Sequence, residues 1–292
     1  MTPPVPSRHG PPVGPALLVL AAAASQEIGA AFAVGLFAAL GPAGATLART
    51  GVAGVVLCVA VRPRVRGLGR RAWGAALALA AALMVMNLCF YEAISRIPLG
   101  IAVTIEVLGP LLLSVALSRR WTGWAWAVLA FAGIAALGVT PTQVGHLDGA
   151  GVAFAAAAAV GWACYIVATS RAVRVFPRLD ALAIATFVGA LLLAPIAAGS
   201  LATSVVAHWH VGALAVGVGL LSSVIPYSLE LWSLRTLAPG TFAVLTCLSP
   251  VVAVLAGWLI LRQRLTVLDC IAIALVTTAS VGAVRSAAQF PP

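Results

Sequence analysis

Residues 98–118, PLGIAVTIEVLGPLLLSVALS, form an apolar segment in which Glu106 is the only charged side chain. A helix that crosses a bilayer needs about 20 predominantly apolar residues. A carboxylate in the middle of such a helix is costly in lipid, and it normally faces a cavity or a partner. The segment therefore predicts a membrane helix that carries a functional group at mid-depth.

The same hydrophobic pattern recurs along the whole chain. Ten windows are long and apolar enough, at about 15–38, 43–61, 72–94, 98–118, 122–140, 149–169, 180–199, 211–233, 240–261 and 266–286. Hydrophobic residues make up 62% of the sequence and charged residues 8%, whereas a soluble domain carries about 25% charged residues. We predict an all-α membrane protein with ten transmembrane helices.

The distribution of arginine predicts the orientation. All 17 basic residues are Arg, and the formal net charge is +10. If the N-terminus is cytoplasmic, thirteen arginines lie on the cytoplasmic side and three on the far side, with Arg49 inside the second helix. Basic loops remain in the cytoplasm, so both termini are expected there, with the protein in the inner membrane. The arginines lie in short clusters between apolar runs, which favours this explanation over nucleic-acid binding.

An internal repeat is suggested by two pairs of helix-breaking residues. Gly100 and Pro110 recur 140 positions later as Gly240 and Pro250. Five helices in each half would insert the second half upside down, which is typical of secondary transporters, although chance recurrence in an Ala-, Leu- and Val-rich chain is the alternative. The predicted units are a disordered cytoplasmic tail at 1–14, five-helix repeats at 15–140 and 149–286, and a tail at 287–292.

Glu106 is the first candidate for a substrate or proton site. It precedes Gly109 and Pro110, and proline has no amide hydrogen to donate to the carbonyl four residues earlier. A bent helix that exposes a carbonyl next to a buried carboxylate suits solute binding or proton exchange. The alternative is a structural pairing of Glu106 with Arg49.

Further polar side chains at membrane depth extend this candidate site. Glu27 lies in the middle of the first helix, where either a cavity or hydrogen bonding between helices would explain it. Asn87 has the same two explanations. Ser223, Tyr227 and Glu230 follow a spacing of four and then three residues, which places them on one helix face. An interfacial pairing with Arg235 is the alternative for Glu230. Candidate hinge residues are Gly109, Pro110, Pro226 and Pro250.

Several functional classes lack their signatures in this sequence. There is no P-loop, GxGxxG, HExxH or GxSxG motif. The scattered Ser and Cys residues form no nucleophile–base pair, so an intramembrane enzyme is disfavoured. No linker is long enough for a nucleotide-binding domain, and transport would therefore depend on a gradient. No cofactor and no metal site are predicted.

Particular strings resemble a known family. IPLGIAV at 97–103 leads to Glu106 and Gly109-Pro110, SRR follows at 118–120, and IPYSLE occupies 225–230. Over about residues 15–286 the chain resembles the drug/metabolite transporter superfamily of the EamA type, and within it the threonine/homoserine exporter branch. Arg49 matches an arginine that this branch carries in its second helix.

The resemblance implies two inverted five-helix halves around a central cavity, and outward movement of amino acids by proton exchange. It places Glu106, Tyr227 and Glu230 at positions that match the pattern of the branch. There are also departures. Ser249 precedes Pro250 where the branch more often has Glu, Arg262-Gln263-Arg264 replaces a usual Gly-Glu pair, Glu27 stands in place of Gln, and Val34 in place of Lys.

The sequence as a whole predicts a secondary transporter that exports a small polar metabolite, such as threonine or homoserine, by proton-coupled alternating access. Export of another metabolite or a drug, and a structural membrane protein without transport, are the alternatives. The expected partners are a small-molecule substrate, protons and the lipid bilayer, with no nucleic acid. A homodimer is left open.

Overall fold

The computed structural model describes residues 13–118, 121–139, 148–172, 174–177, 179–234 and 245–288, and these residues form helices and no strands. The α-helices are α1 (Val13–Val34), α2 (Phe37–Val61), α3 (Arg70–Ile94), α4 (Leu99–Glu106), α5 (Leu108–Ser118), α6 (Trp121–Val139), α7 (Gly149–Ala172), α8 (Asp180–Ala207), α9 (Trp209–Gly219), α10 (Ile225–Leu234), α11 (Ser249–Leu259) and α12 (Val267–Ala288). A π-helical turn, Leu220–Val224, joins α9 to α10.

Length and hydropathy identify a multi-pass membrane protein. Among the described residues, six helical segments are long and apolar enough to cross a bilayer, and four shorter apolar helices accompany them. The six are Gly14–Val34, Phe37–Val61, Arg70–Ile94, Gly149–Ala172, Asp180–Gly199 and Trp209–Glu230. All-helical membrane architecture is therefore confirmed.

Some predicted features fall outside the described residues. These are most of the N-terminal tail, the last residues of the C-terminal tail, the Pro239-Gly240 turn with Gly240 of the repeat, and several loop arginines, namely Arg119, Arg120, Arg178 and Arg235. Most of the described boundaries lie within four residues of the prediction, and two do not. α8 extends to Ala207, eight residues beyond the predicted end. α2 begins at Phe37, six residues early, with a kink at Gly41, whose φ is 66°.

The regular α-helix is broken in three of the predicted spans. The fourth has a turn at Val107 between α4 and α5, the eighth continues through the π-helical turn, and the ninth has a turn at 247–248 before α11. Pro110, Pro226 and Pro250 each lie in the first turn of the helix that follows a break. Proline is tolerated there because the first amides of a helix have no intrahelical partner.

The helices pack in a regular set of pairs. The most extensive contacts join α2 to α8, α3 to α7, α6 to α12 and α1 to α10, and α4 packs against α11. Small residues allow the closest approaches, as is common between membrane helices. A Cβ on Gly161 of α7 would lie 2.9 Å from the backbone of Met86 in α3, and a Cβ on Gly54 of α2 would lie 2.8 Å from the Cα of Phe187 in α8.

Replacement of Gly161 by Ala should lower stability because the added methyl group meets the backbone of Met86, which cannot move aside as a side chain can. We expect a loss of about 1–3 kcal/mol in the free energy of unfolding in detergent, the usual cost of overpacking. Gly51→Ala is the matched control, since nothing lies within 4 Å of its added Cβ. Equal stability of the two variants would contradict this packing.

Candidate functional site

A small cavity lies between helices from both ends of the chain. Its volume is about 50 Å³, which is room for one or two water molecules. The lining residues are Val19, Ala23 and Gln26 of α1, Met86 of α3, Glu106 of α4, Trp162 and Tyr165 of α7, Tyr227 and Glu230 of α10, Thr246, and Ser249 of α11. Two carboxylates and two phenols therefore share one small space.

Glu106 is the last residue of α4 and lies in the cavity wall at the break before α5. Its side chain is 7% exposed. Arg49 attracts Glu106 electrostatically, but no ion pair within 4.0 Å joins the two side chains, both of which the structure describes. Glu106 is thus placed as a cavity carboxylate, and the direct structural pair with Arg49 is not formed.

Glu230 and Tyr227 reach the same cavity from α10. The alternative for Glu230 is an interfacial position with Arg235 as its partner. The structure places the carboxylate of Glu230 in the cavity wall beside Tyr227, and Arg235 lies outside the described residues. Two of the three helix-face residues predicted from spacing therefore come together at the site.

Arg49 is buried between α2 and the π-helical turn, with 3% of its surface exposed. Its Nε donates a hydrogen bond of 2.9 Å to Ser223 Oγ, and its Nη2 donates one of 2.7 Å to the carbonyl oxygen of Ser222. The guanidinium carbon also lies 5.4 Å from the ring centroid of Tyr91, within range of a cation–π interaction. The two hydrogen bonds use two of the five N–H donors of the guanidinium.

The sequence explains why the Ser222 carbonyl is available. In an α-helix it would accept from the amide of residue 226, but residue 226 is proline and has no amide hydrogen. The π-helical turn spans this position, and such turns occur often at functional sites. One residue earlier, the carbonyl of Leu221 accepts a 2.6 Å hydrogen bond from Ser25 Oγ of α1. The turn thus binds both α1 and α2 through its backbone.

Two further predicted site residues, Glu27 and Asn87, lie next to the cavity and do not form part of its wall. Glu27 is 2% exposed, its Oε2 has no hydrogen-bond partner in the described structure, and it interacts electrostatically with Glu106 and Arg49. Its neighbour Gln26 lines the cavity instead. Asn87 donates to the carbonyl of Leu83 in its own helix over 2.8 Å.

Sequence reasoning missed several lining residues. Thr246 stands four residues before Pro250, as Glu106 stands four residues before Pro110. The repeat spacing of 140 therefore contained the signal for Thr246. Trp162 and Tyr165 are three apart on α7 and so share a face, but the apolar helix around them gave no sign of which face is buried.

These features define a class, namely multi-pass helical membrane proteins with a buried, charged centre. Comparison with known proteins gives the family. Residues 149–285 match the model of the EamA-like transporter family. Over 268 residues the chain is 34% identical to the threonine/homoserine exporter RhtA of Escherichia coli (strain K12). The alignment covers 92% of this chain and 90% of that protein. The chain belongs to the EamA-like transporter family.

Two further similarities are consistent with this assignment. The threonine/homoserine exporter RhtA of Salmonella typhimurium (strain LT2) is 31% identical over 277 residues, with 95% of this chain and 93% of that protein covered. A protein crystal structure with 20% sequence identity superposes with a TM-score of 0.58 over 95% of this chain and 98% of that chain. At that identity the superposition supports the fold alone.

A double-mutant cycle should detect the hydrogen bond between Arg49 and Ser223. We expect Arg49→Gln and Ser223→Ala to be coupled by about 1–3 kcal/mol in the free energy of unfolding in detergent, because a buried hydrogen bond to a charged group is lost in either variant. The control cycle pairs Arg49→Gln with Thr186→Ala, since the Thr186 hydroxyl bonds within its own helix. A coupling below 0.5 kcal/mol, as for independent sites, would contradict the contact.

Proposed function

We propose that the protein is a secondary transporter that exports a small polar amino acid, such as threonine or homoserine, in exchange for protons. The observation that carries the proposal is the pair of carboxylates, buried Glu106 and partly exposed Glu230, in one cavity between helices from both ends of the chain. The relatives at 31–34% identity are named threonine/homoserine exporters, and this similarity suggests the class of substrate.

The proposal includes ten spans in two inverted five-helix repeats, residues 15–140 and 149–286. The packing supports this arrangement. In such a repeat, each span of the first half corresponds to the span with the same position in the second half. The contacts of α2 with α8, of α4 with α11 and of α6 with α12 then each join two corresponding helices. The α3–α7 contact has its counterpart in the contacts of α1 with α9 and α10. Transporters with this symmetry bind substrate where the repeats meet.

Glu106 and Glu230 would act as the proton-exchanging groups. Glu106 is buried and forms no ion pair within 4.0 Å with any residue that the structure describes. Such a carboxylate is costly when charged, so it favours either a proton or the ammonium group of a substrate. Competition between the two ligands for one carboxylate would couple the movement of protons to that of the amino acid. Glu27 lies close enough to Glu106 for repulsion between the two carboxylates, which adds to the preference for a neutral or cation-bound state.

Arg49 would act as a switch rather than as a permanently free anion site. Its Nε and Nη2 already donate to Ser223 and Ser222. A substrate carboxylate that binds the guanidinium through the paired Nε and Nη2 donors would displace these contacts. The contact between α2 and the π-helical turn, which we call the joint, would then loosen. Substrate binding would thereby be linked to the movement of α10.

The interrupted spans supply the parts that can move. The cavity of about 50 Å³ must widen to admit an amino acid. Pro110, Pro226 and Pro250 follow the breaks in three of the helices that line it. Rocking of the two repeats about these breaks would open the site to one side of the membrane at a time. The arginines indicate that both termini lie in the cytoplasm and that the protein spans the inner membrane. Release of substrate to the far side of this membrane is therefore export.

The departure at Ser249 favours a second candidate, a transporter of the same kind for a different small metabolite. Ser249 lies in the cavity wall, so the missing carboxylate changes the site itself rather than its surroundings. Glu27 does not restore it, because Glu27 lies outside the wall. The charge in the cavity differs from that expected for the exporter branch, and a substrate with fewer ammonium contacts would suit it.

Transport in proteoliposomes tests the function directly. We expect labelled threonine or homoserine to move faster with an imposed pH gradient, and Glu106→Gln to reduce this gradient-driven movement at least tenfold because the variant cannot exchange a proton. Glu92→Gln is the matched control, since Glu92 is a partly exposed residue in a helix-end ion pair with Arg96 over 3.5 Å. Melting temperatures of both variants establish that they are folded.

The outcomes separate the parts of the proposal. Normal pH-dependent transport by Glu106→Gln would remove Glu106 from the mechanism. Failure of the folded wild type to move either amino acid, together with movement of another solute from a wider metabolite panel, would favour the second candidate. Absence of movement for every solute in the panel would contradict a transport function.

A further inference from the structure

A second and larger cleft lies apart from the central cavity. Its volume is about 730 Å³, and α3, α5 and α7 bound it. Its floor consists of small apolar side chains, including Ala78 and Ala82 of α3 and Ala163 and Val167 of α7. No residue that lines the central cavity also lines this cleft, so it is a separate feature of the molecule.

Three arginines stand at one end of the cleft. Arg71 lies in the first turn of α3, Arg171 in the last turn of α7, and Arg174 just beyond α7. All three side chains are exposed. In the part of the chain that the structure describes, none of them forms an ion pair with a carboxylate within 4.0 Å. The positive charge at this end of the cleft is therefore not neutralised by the described acidic residues.

We propose that this cleft binds an anionic phospholipid, with the phosphate between Arg71, Arg171 and Arg174 and an acyl chain along the alanine-rich floor. Arginine is suited to phosphate because its planar guanidinium can donate two parallel hydrogen bonds. Basic pockets between transmembrane helices bind anionic headgroups in this way. The proposal goes beyond transport and does not depend on the identity of the transported solute.

The chemistry of the floor decides between a lipid and a soluble anion. Apart from the three arginines and Cys164, every lining residue has an apolar side chain or is glycine. A soluble phosphate would contact only the arginine end and would make no use of the apolar floor. A lipid fills both parts of the cleft, with its phosphate at the arginines and its acyl chain packed against the small side chains of the floor. Charge and apolar surface together therefore favour a lipid.

Position also favours a lipid. Gly74, Ala78 and Cys164 are exposed, so the cleft opens at the surface of the helix bundle, where a bilayer would surround the protein. The arginine end coincides with the basic loops that are expected on the cytoplasmic side, where anionic lipids attract such clusters. A phospholipid can therefore enter sideways from the cytoplasmic leaflet with its headgroup at the level of the arginines.

Lipid titration of the full-length protein in detergent, followed by native mass spectrometry, tests the proposal. The probes are phosphatidylglycerol and phosphatidylcholine with identical acyl chains. We expect at least tenfold tighter binding of phosphatidylglycerol, and loss of this preference in the triple variant Arg71→Gln, Arg171→Gln, Arg174→Gln. The matched control is Arg62→Gln, Arg64→Gln, Arg66→Gln, which removes the same charge from exposed positions of the α2–α3 loop and should retain the preference.

A second variant tests the acyl-chain half of the site. Ala78→Leu with Ala163→Leu fills the floor and keeps all three arginines, and we expect phosphatidylglycerol binding at least threefold weaker with an unchanged melting temperature. If both triple variants, the one in the cleft and the one in the α2–α3 loop, weakened phosphatidylglycerol binding equally, the preference would be a general effect of charge. That result would overturn the proposal. Displacement of the lipid by millimolar inorganic phosphate, with no effect of the leucines, would overturn it in favour of a soluble anion.

Discussion

The burial of Arg49 is the constraint on which the centre of this protein depends. A guanidinium at membrane depth must have its donors satisfied by the protein, because lipid offers no acceptors. Ser222 and Ser223 provide two of these acceptors, and the Ser222 carbonyl is free to do so because Pro226 removes its usual helical donor. Arg49 in α2 and Pro226 in α10 together therefore produce the hydrogen-bonded contact between α2 and the π-helical turn.

The acidic side chains are arranged around this joint. Glu27 and Glu106 both interact with Arg49 over a longer range, and neither reaches it as an ion pair within 4.0 Å. One positive charge therefore attracts two carboxylates without neutralising either by contact. This separation leaves Glu106 accessible from the cavity, whereas a tight ion pair would have occupied its carboxylate oxygens.

The sequence predicted the membrane helices and singled out Glu106, which lies in the cavity wall, but it could not give the rotation of each helix. Hydropathy reports the length of a span, but its rotation is set by packing against neighbouring helices. For this reason Gln26 rather than Glu27 faces the cavity. The π-helical turn caused a second difference. Ser223 lies within it, and its wider hydrogen-bond pattern disturbs the regular period of the α-helix, so Ser223 contacts Arg49 while Tyr227 and Glu230 face the cavity.

On the proposed mechanism, the hydrogen bonds of Arg49 also limit how far this protein can be stabilised. If they open and close in every cycle, their strength contributes to the barrier of each turnover. A substitution that tightened the joint would raise thermal stability and slow the cycle, and one that weakened it would do the reverse within the range in which the chain still folds. Selection for activity would then keep this joint weaker than it could be, the usual compromise between stability and function.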